Sequence, residues 1–332
     1  MKKIIFFTEM GNTIGFGHLS RCLSIANSLI SDFYIEFYIF SNDNKKILFE
    51  INPKIKISFT DWKIDYSNHI NSKDIVIIDS YLANEETYKH ISTLSHKSIA
   101  FDDYYRINYE TDFILNPNVF ADETMYNYKN KLVIGNKYVI LRKEFRKLNF
   151  DKTLVHKTVK NVTITIGGSD EKRTLVRFLS FINHNFPTIN FHFLCANQDY
   201  KNELINLNKH KNNSFSGFLN ANELISLFEK SEVVISACGQ TLGELVVCKT
   251  PFIGFIIGED QIPNQQYYLN RGILEDEIDI NCVNFEQKIT KALTKLLAED
   301  NRQIILNKLI GLIDGKGVNR ICKKIKEMSY EF

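Results

Sequence analysis

Short apolar runs alternate with helical patterns along the whole chain, and this alternation most narrows the folds open to it. Runs of strand length, such as Ile35–Phe40 and Ile75–Ile78, are nearly continuous in Ile, Val and Phe. Such runs predict strands that are covered on both faces, as in a parallel sheet. Stretches with helical spacing, such as Leu19–Leu29 and Glu85–Leu94, lie between them. The pattern therefore predicts βαβ units.

The second half repeats this scheme with strands at Val162–Ile166 and Phe252–Ile257 and a helix at Ala221–Lys230. A chain of 332 residues, 44% of them hydrophobic, suits two packed domains. We predict an α/β protein with two doubly wound Rossmann-type domains over residues 1–150 and 151–332. We expect the charged final helix to pack either within the second domain or back on the first domain. A ligand is expected in the interdomain cleft, at the C-terminal ends of the strands.

Charge and cysteine usage exclude several classes of protein. The 41 basic and 39 acidic residues are interspersed and give a net charge of +2, so no nucleic-acid or anionic-membrane partner is predicted. The six cysteines form no C-x-x-C pair and have no histidine at metal-ligand spacing, which favours reduced thiols and no metal site. No signal peptide or membrane-spanning run is recognisable, so we expect a cytoplasmic monomer without stable membrane insertion.

The segment Gly15-Phe16-Gly17-His18 lies between an apolar run and an amphipathic run. A strand, a glycine loop and a helix in this order direct backbone N–H groups at an anion. His18 adds a base that titrates near neutral pH, which indicates chemistry on a phosphorylated ligand. Two alternatives stay open: an ordinary turn with a hydrogen-bonded histidine, and a dinucleotide site. The missing third glycine disfavours the second.

Two further loops of this type follow strands in the second half, Gly167-Gly168-Ser169 and Cys238-Gly239-Gln240-Thr241. Three such loops favour one shared ligand that bears phosphate. Neither of the later loops carries the lysine of a P-loop, which disfavours ATP hydrolysis. Glu244, one helical turn further on, either accepts the hydroxyls of a ribose or closes a capping box with Thr241.

At this point the chain resembles a known family, the UDP-2,4-diacetamido-2,4,6-trideoxy-β-L-altropyranose hydrolases of the pseudaminic acid pathway, within the GT-B glycosyltransferase-like group. The first block is the most specific, because the histidine that matches His18 is the proposed catalytic base of that family. The resemblance is carried by motifs in this order: Gly15-Phe16-Gly17-His18-Leu19-Ser20-Arg21-Cys22, Ile78-Asp79-Ser80-Tyr81, Asp102-Asp103, Leu115-Asn116-Pro117-Asn118, Leu141-Arg142-Lys143-Glu144-Phe145, Gly167-Gly168-Ser169-Asp170 and Ser236-Ala237-Cys238-Gly239-Gln240-Thr241.

The resemblance implies a sugar-binding and catalytic first domain, a UDP-binding second domain, and no metal or cofactor. The implied sugar contacts are Gly15, Gly17, Arg21, Asp79, Tyr81, Asp103 and Asn118. The implied UDP contacts are Gly167, Gly168, Ser169, Cys238, Gly239, Gln240, Thr241, Glu244 and Gln261. Other roles remain open for some of these: Asp79 and Asp103 as caps of loops or helices, and Arg21 as an ion-pair residue.

Three positions depart from the family pattern. Cys238 replaces a glycine, Glu259-Asp260-Gln261 replaces Asp-Asn-Gln, and Glu171 replaces a proline. These changes concern the ligand rather than the fold.

The implied reaction is hydrolysis at the anomeric C–O bond with inversion: water attacks, His18 accepts a proton and UDP leaves. One alternative is a GT-B glycosyltransferase that uses a sugar or lipid acceptor in place of water, and another is a nucleotide-sugar-binding protein without catalysis.

Overall fold

The computed structural model describes residues 2–11, 14–42, 51–126, 132–148, 153–167, 170, 172–195 and 198–330. It divides into two compact units, one formed by Met1–Arg142 together with Lys316–Phe332, the other by Lys143–Gly315. The sequence predicts a boundary at residue 150 and allows the final helix to return to the first domain; the units divide after Arg142, and the final helix lies in the first unit.

The described residues form twelve strands and eleven α-helices. The strands are β1 (Lys3–Met10), β2 (Tyr34–Ser41), β3 (Ile55–Phe59), β4 (Ile75–Asp79), β5 (Lys97–Phe101), β6 (Phe113–Asn116), β7 (Leu132–Ile134), β8 (Asn161–Thr165), β9 (Asn190–Leu194), β10 (Ser214–Ser216), β11 (Val233–Ala237) and β12 (Phe252–Phe255). The helices are α1 (Gly17–Leu29), α2 (Trp62–Asp65), α3 (Glu85–Leu94), α4 (Thr174–Asn185), α5 (Gln198–Leu207), α6 (Ala221–Lys230), α7 (Thr241–Val247), α8 (Ile262–Asn270), α9 (Phe285–Leu296), α10 (Glu299–Leu309) and α11 (Gly317–Met328).

The sheet of the first unit has seven strands in the order β3-β2-β1-β4-β5-β6-β7, and all of its strand pairs are parallel. Every residue of β4 is buried, as are all but the first of β1, which explains their continuous apolar character. The strand order reverses between β1 and β4. In doubly wound sheets a ligand crevice opens at this switch point, beside the C-terminal strand ends.

Helices α1 and α11 cover one face of this sheet together. The apolar side of α1, including Leu19, Ile25 and Leu29, shares a core with Ile321 and Ile325 of α11. Fully burying one aliphatic side chain of this size stabilises a fold by roughly 1.5–3 kcal/mol. The last helix of the chain is therefore a structural part of the first unit.

The second unit contains a five-stranded sheet in the order β10-β9-β8-β11-β12, again with parallel pairing only. Its strand order reverses between β8 and β11, so these two strand ends flank the corresponding switch point. The capping box at the start of α6, formed by Asn220 and Glu223, fixes the beginning of that helix.

The parallel, doubly wound character predicted for both halves is confirmed. Strand β7 and helices α2, α9 and α10 are additions to the predicted elements, and the helix expected from Glu171 begins at Thr174. The helix predicted at 45–51 lies, except for Ile51, outside the described residues. No helix in the described part of the chain combines the length and apolar character needed to cross a bilayer.

Candidate functional site

Polar side chains converge at the switch point of the first sheet. Glu9 stands near the end of β1, Asp79 ends β4, and Asp103 and Asn118 follow β5 and β6. Because these strands are parallel, their C-terminal ends lie along one edge of the sheet. The first turn of α1 brings His18 to the same edge, within hydrogen-bond distance of Asp79.

The loop between β1 and α1 has the backbone geometry of a close-approach loop. Gly15 has φ +85°, and its backbone exchanges two hydrogen bonds with that of Gly11. Gly17 is exposed at the start of α1, and a Cβ added there would meet no heavy atom within 4 Å. The N-cap residue, Phe16, makes no side-chain capping hydrogen bond. Among the residues that the structure describes, none fills the space beside Gly17 at the first turn of α1, where anions bind favourably.

His18 forms a buried pair with Asp79. The His18 Nδ1 to Asp79 Oδ1 distance is 2.6 Å, and the two side chains are 7% and 1% exposed. A carboxylate can only accept, so Nδ1 carries the proton and Nε2 is the basic nitrogen. Among the described residues no group hydrogen-bonds to Nε2, so its lone pair is available for a proton. Arg21 Nη2 lies 3.3 Å from Nδ1. Because both nitrogens carry protons in this tautomer, they form no hydrogen bond with each other.

Arg21 joins the two carboxylates at this edge. Its Nε and Nη2 each donate to Asp79 over 2.6 Å, and its Nη1 and Nη2 donate to Asp103 over 2.7 and 2.9 Å. The guanidinium is 5% exposed and stacks over the Phe101 ring at 4.7 Å. With two bidentate carboxylate partners, it has little capacity left for a ligand. Arg21 thus has the ion-pair role that the sequence left open, and its predicted sugar contact stays a prediction.

The charges of this cluster account for its protonation. Burial acts to lower the pKa of His18, but the Asp79 carboxylate beside it outweighs burial, so the pKa is raised above 6.5. Burial acts to raise the pKa of both carboxyls, yet Arg21 overcomes it and holds both below their usual range. With His18 neutral, two carboxylates oppose one guanidinium. Accepting a proton at His18 balances the cluster, which suits a base that becomes transiently cationic.

Tyr81 and Asn118 complete the wall beside His18. The Tyr81 ring lies edge-on to the imidazole, with ring centroids 4.5 Å apart, and its hydroxyl donates to Asp103 Oδ2 over 2.5 Å. Asn118 Nδ2 donates to Asp103 Oδ1 over 2.8 Å. The Asp103 carboxylate thus has three different partners. Tyr81 remains 37% exposed, so its ring is accessible from the open side of the site.

In the second unit, two of the predicted loops meet at the corresponding switch point. Gly167 is exposed with φ +91°, and a Cβ there would lie 3.8 Å from Thr241 Oγ1. Gly239 could carry a Cβ with no heavy atom within 4 Å, and Gln240 is exposed. These residues offer an open, glycine-lined edge beside α7. Gly168 and Ser169 lie outside the described residues.

Two other predicted nucleotide contacts have partners within the protein. Cys238 is fully buried, its N–H donates to Phe255 and its carbonyl accepts from Asn264, so its ligand contact stays a prediction. Gln261 uses its side-chain oxygen to accept from the Ile257 N–H.

Glu244 is buried in the first turn of α7. The N-cap residue of that helix, Gln240, makes no side-chain capping hydrogen bond. The helix thus begins at Thr241 with Gln240 as its N-cap, and both the capping-box and the ribose roles of Glu244 stay predictions.

The sequence reasoning missed two polar residues at the edge of the first sheet. Glu9 is 1% exposed and accepts from both the Ser80 hydroxyl and the Tyr81 N–H. A carboxylate near the end of an otherwise apolar run was the available signal. Tyr104, 38% exposed and edge-on to Tyr81 at 5.8 Å, had no comparable signal. Asp102 of the Asp102-Asp103 motif is structural, since it accepts from the backbone N–H groups of the following turn.

A comparison with curated proteins finds a relative whose name includes the activity of the family that the motifs resemble. The chain is 27% identical over 266 residues to a Helicobacter pylori protein named pseudaminic acid cytidylyltransferase and UDP-2,4-diacetamido-2,4,6-trideoxy-beta-L-altropyranose hydrolase, covering 79% of this chain and 46% of that protein. It is 26% identical over 279 residues to the uncharacterized protein MJ1062 of Methanocaldococcus jannaschii, covering 80% of this chain and 57% of that protein. The chain spans about half the length of these relatives. No family model matches it.

Solved structures agree on the fold. Acinetobacter baumannii MurG superposes with a TM-score of 0.69 at 11% identity, covering 98% of this chain and 100% of that one. Staphylococcus aureus MnaA, solved with UDP, gives 0.62 at 13% identity, covering 98% and 96%. A UDP-glucosyltransferase of Polygonum tinctorium gives 0.67 at 9% identity, covering 100% and 99%. The chain has a GT-B-like fold, and its resemblance to the UDP-altropyranose hydrolases is confirmed over most of its length.

Proposed function

We propose that this protein hydrolyses a UDP-activated 2,4-diacetamido-2,4,6-trideoxy sugar at the anomeric C–O bond, releasing UDP and the free sugar for nonulosonic acid synthesis. The pair formed by His18 and Asp79 carries the proposal. It provides an imidazole of fixed tautomer, at a ligand-binding edge of the sheet, with its basic nitrogen free of partners among the described residues. The named activity of the Helicobacter pylori relative supports the same reaction class.

In the proposed mechanism His18 Nε2 takes a proton from water as the water oxygen bonds to the anomeric carbon. The C–O bond to the diphosphate breaks and its electrons stay on UDP, so the configuration at that carbon inverts. Asp79 holds the ring and stabilises the imidazolium that forms. Because UDP is a good leaving group, the protein has to position the water and the sugar and to accept one proton. Tyr81, Asp103 and Asn118 are proposed to border the sugar.

The second unit is proposed to hold UDP. Gly167, Gly239 and Gln240 stand where backbone N–H groups at a strand-to-helix turn can approach a diphosphate. MnaA, which shares this fold, was solved with UDP, and this supports UDP as the kind of ligand. Since loops and helix ends supply the donors to the diphosphate in this proposal, we expect turnover in the presence of EDTA. We also expect the active protein to be a monomer.

The test uses the purified chain with a panel of UDP-activated diacetamido sugars in ¹⁸O-enriched water. Anomeric C–O cleavage puts the label in the sugar, whereas attack at phosphorus puts it in UDP. Proton NMR of the first product identifies the anomer. We expect labelled sugar of inverted configuration, and labelled UDP would refute the mechanism.

Two variants separate the base from the fold. His18→Gln should lose most turnover and keep its affinity for UDP. His184→Gln, on the exposed side of α4, is the matched control and should behave as the wild type. UDP release that begins only after an acceptor is added would favour the glycosyltransferase alternative, and tight binding without turnover would favour a binding protein.

A further inference from the structure

The first unit contains a buried carboxylate that the proposed reaction does not use. Glu9 is 1% exposed, and its oxygens accept from the Ser80 hydroxyl over 2.6 Å and from the Tyr81 N–H over 2.8 Å. No basic side chain in the described part of the unit forms an ion pair with it. A buried charge that only neutral donors compensate is costly to keep, so its role needs a physical reason.

The partners of Glu9 lie in the turn that follows β4. While the Ser80 hydroxyl donates to Glu9, its oxygen accepts from the N–H groups of Leu82 and Ala83 over 3.0 and 3.1 Å. The Ser80 carbonyl accepts from Tyr88 and Arg106 on the other side of the turn. Arg106 also donates to the Ala83 carbonyl, so the Ser80 hydroxyl fixes the inner side of this turn and Arg106 the outer side. The proton of that hydroxyl must have an acceptor.

This turn carries the residue that covers the proposed base. Tyr81 is bonded to Glu9 through its backbone N–H, and its ring lies 4.5 Å from that of His18. Its hydroxyl reaches Asp103. The carboxylate of Glu9 therefore anchors, through two short bonds, the side chain that shields His18 from water and closes the cluster.

We propose that Glu9 is a positioning residue, which holds the turn after β4 so that Tyr81 packs against His18. This inference rests on the proposed function, since it assigns Glu9 to the same site. Only a carboxylate meets both donors. A glutamine would turn its NH₂ group either towards the Tyr81 N–H or towards Ser80, whose oxygen already accepts two N–H groups and whose proton would lose its acceptor.

The test compares Glu9→Gln with Glu36→Gln. Glu36 is a matched control because it is also a buried carboxylate of this sheet, 6% exposed, but bonds to Lys56 and Tyr38 on β3 and β2. Glu9→Gln should lower kcat roughly tenfold and leave the affinity for UDP unchanged. The acid limb of its pH profile should move to higher pH, because water reaching His18 weakens the burial that lowers its pKa, while Asp79, Arg21 and Asp103 keep their charges.

Hydrogen exchange gives a second measurement that does not depend on turnover. The amides of Tyr81, Leu82 and Ala83 should exchange faster in Glu9→Gln and at the wild-type rate in Glu36→Gln. Ser80→Ala should reproduce the losses, and the double variant should lose less than the sum, because both changes act on one bond. Should Glu9→Gln fail to fold, Ser80→Ala alone decides by the same measurements.

The outcomes separate the two proposals. A wild-type protein without hydrolase activity refutes the proposed function, and exchange at residues 80–83 still tests the anchoring by Glu9. An active wild type with unchanged kcat, acid limb and exchange in Glu9→Gln overturns the role of Glu9. Equal effects in Glu36→Gln also overturn it, since they would reflect general destabilisation of the sheet.

Discussion

Replacing Asp79 by Asn tests the pair that the proposed mechanism depends on. The change keeps the size of the side chain but removes the charge that faces Nδ1 of His18 at 2.6 Å. The two oxygens of Asp79 accept from one nitrogen of His18 and two of Arg21. An amide satisfies at most one side: its NH₂ group meets either Arg21 Nε or His18 Nδ1. In the second orientation the imidazole must move its proton to Nε2, where it can no longer act as a base.

The magnitude follows from what the imidazolium loses. A hydrogen bond to a charged group contributes about 1.5–3 kcal/mol, a factor of roughly 10–150 in rate if it is made only in the transition state. The wrong tautomer adds to this, so kcat should fall by about 10²–10⁴. The residual activity should show an acid limb at lower pH than in the wild type, because burial and Arg21, which both lower the pKa of His18, would then be opposed only by Asp103.

The assay is UDP release from pH 5 to 9 in wild type, Asp79→Asn and Asp103→Asn. Asp103 is the matched control, because it shares the Arg21 partner but does not bond to His18. Asp103→Asn should move the acid limb of the pH profile less than Asp79→Asn does. An Asp79→Asn protein that folds and keeps the wild-type limb would refute the reasoning, since the titrating group would then not be His18 held by Asp79.

Three further predictions concern stability and close approach. Because the pKa of His18 is raised in the folded protein, the contribution of His18 to stability is complete below pH 6.5 and disappears as pH rises through the folded pKa. The difference in unfolding free energy between wild type and His18→Gln should therefore shrink in urea titrations from pH 6 to 9. Gly15→Ala should lower the free energy of unfolding by about 1–2 kcal/mol, because residue 15 has a positive φ. Gly17→Ala should leave the melting temperature unchanged and raise KM roughly tenfold, because the added methyl group enters the proposed ligand space. An equal fall in melting temperature in both variants would contradict this. Arg302→Met should cost about 3 kcal/mol or more, because the fully buried guanidinium donates to four backbone carbonyls. Arg173→Met, which removes an exposed ion pair with Glu203, should cost much less.

The architecture could be predicted because parallel strands leave a strong signature. Runs such as Ile75–Ile78 are apolar throughout because both faces of the sheet are covered. A polar residue directly after such a run, such as Asp79, indicates the C-terminal end of the strand. Strand ends of one parallel sheet meet, so topology explains why His18, Asp79, Asp103 and Asn118 lie together, although the family resemblance was what singled them out. Helix α9 also has a readable pattern, with Phe285, Ile289 and Leu293 buried at four-residue spacing, but was not among the predicted elements.

The details of the site depended on packing that spacing does not encode. Arg21 faces two carboxylates because Asp79, at the end of β4, and Asp103, after β5, both lie within hydrogen-bond distance of its guanidinium. Cys238 stands in a loop that looks open in sequence, yet its side chain fills the space left by Gly254, whose added Cβ would lie 2.8 Å from Sγ. Such contacts join residues that are distant in sequence.

The return of α11 to the first unit has a consequence for how the protein is made. A ribosome delivers Val318, Ile321 and Ile325 only after every residue of Lys143–Gly315 has been synthesised. Until then the outer face of α1 has no cover, and the nascent first unit presents Leu29 and its neighbours to water. The second unit, contiguous in the chain, is under no such constraint, so we expect it to reach its native state first during synthesis although it is encoded later.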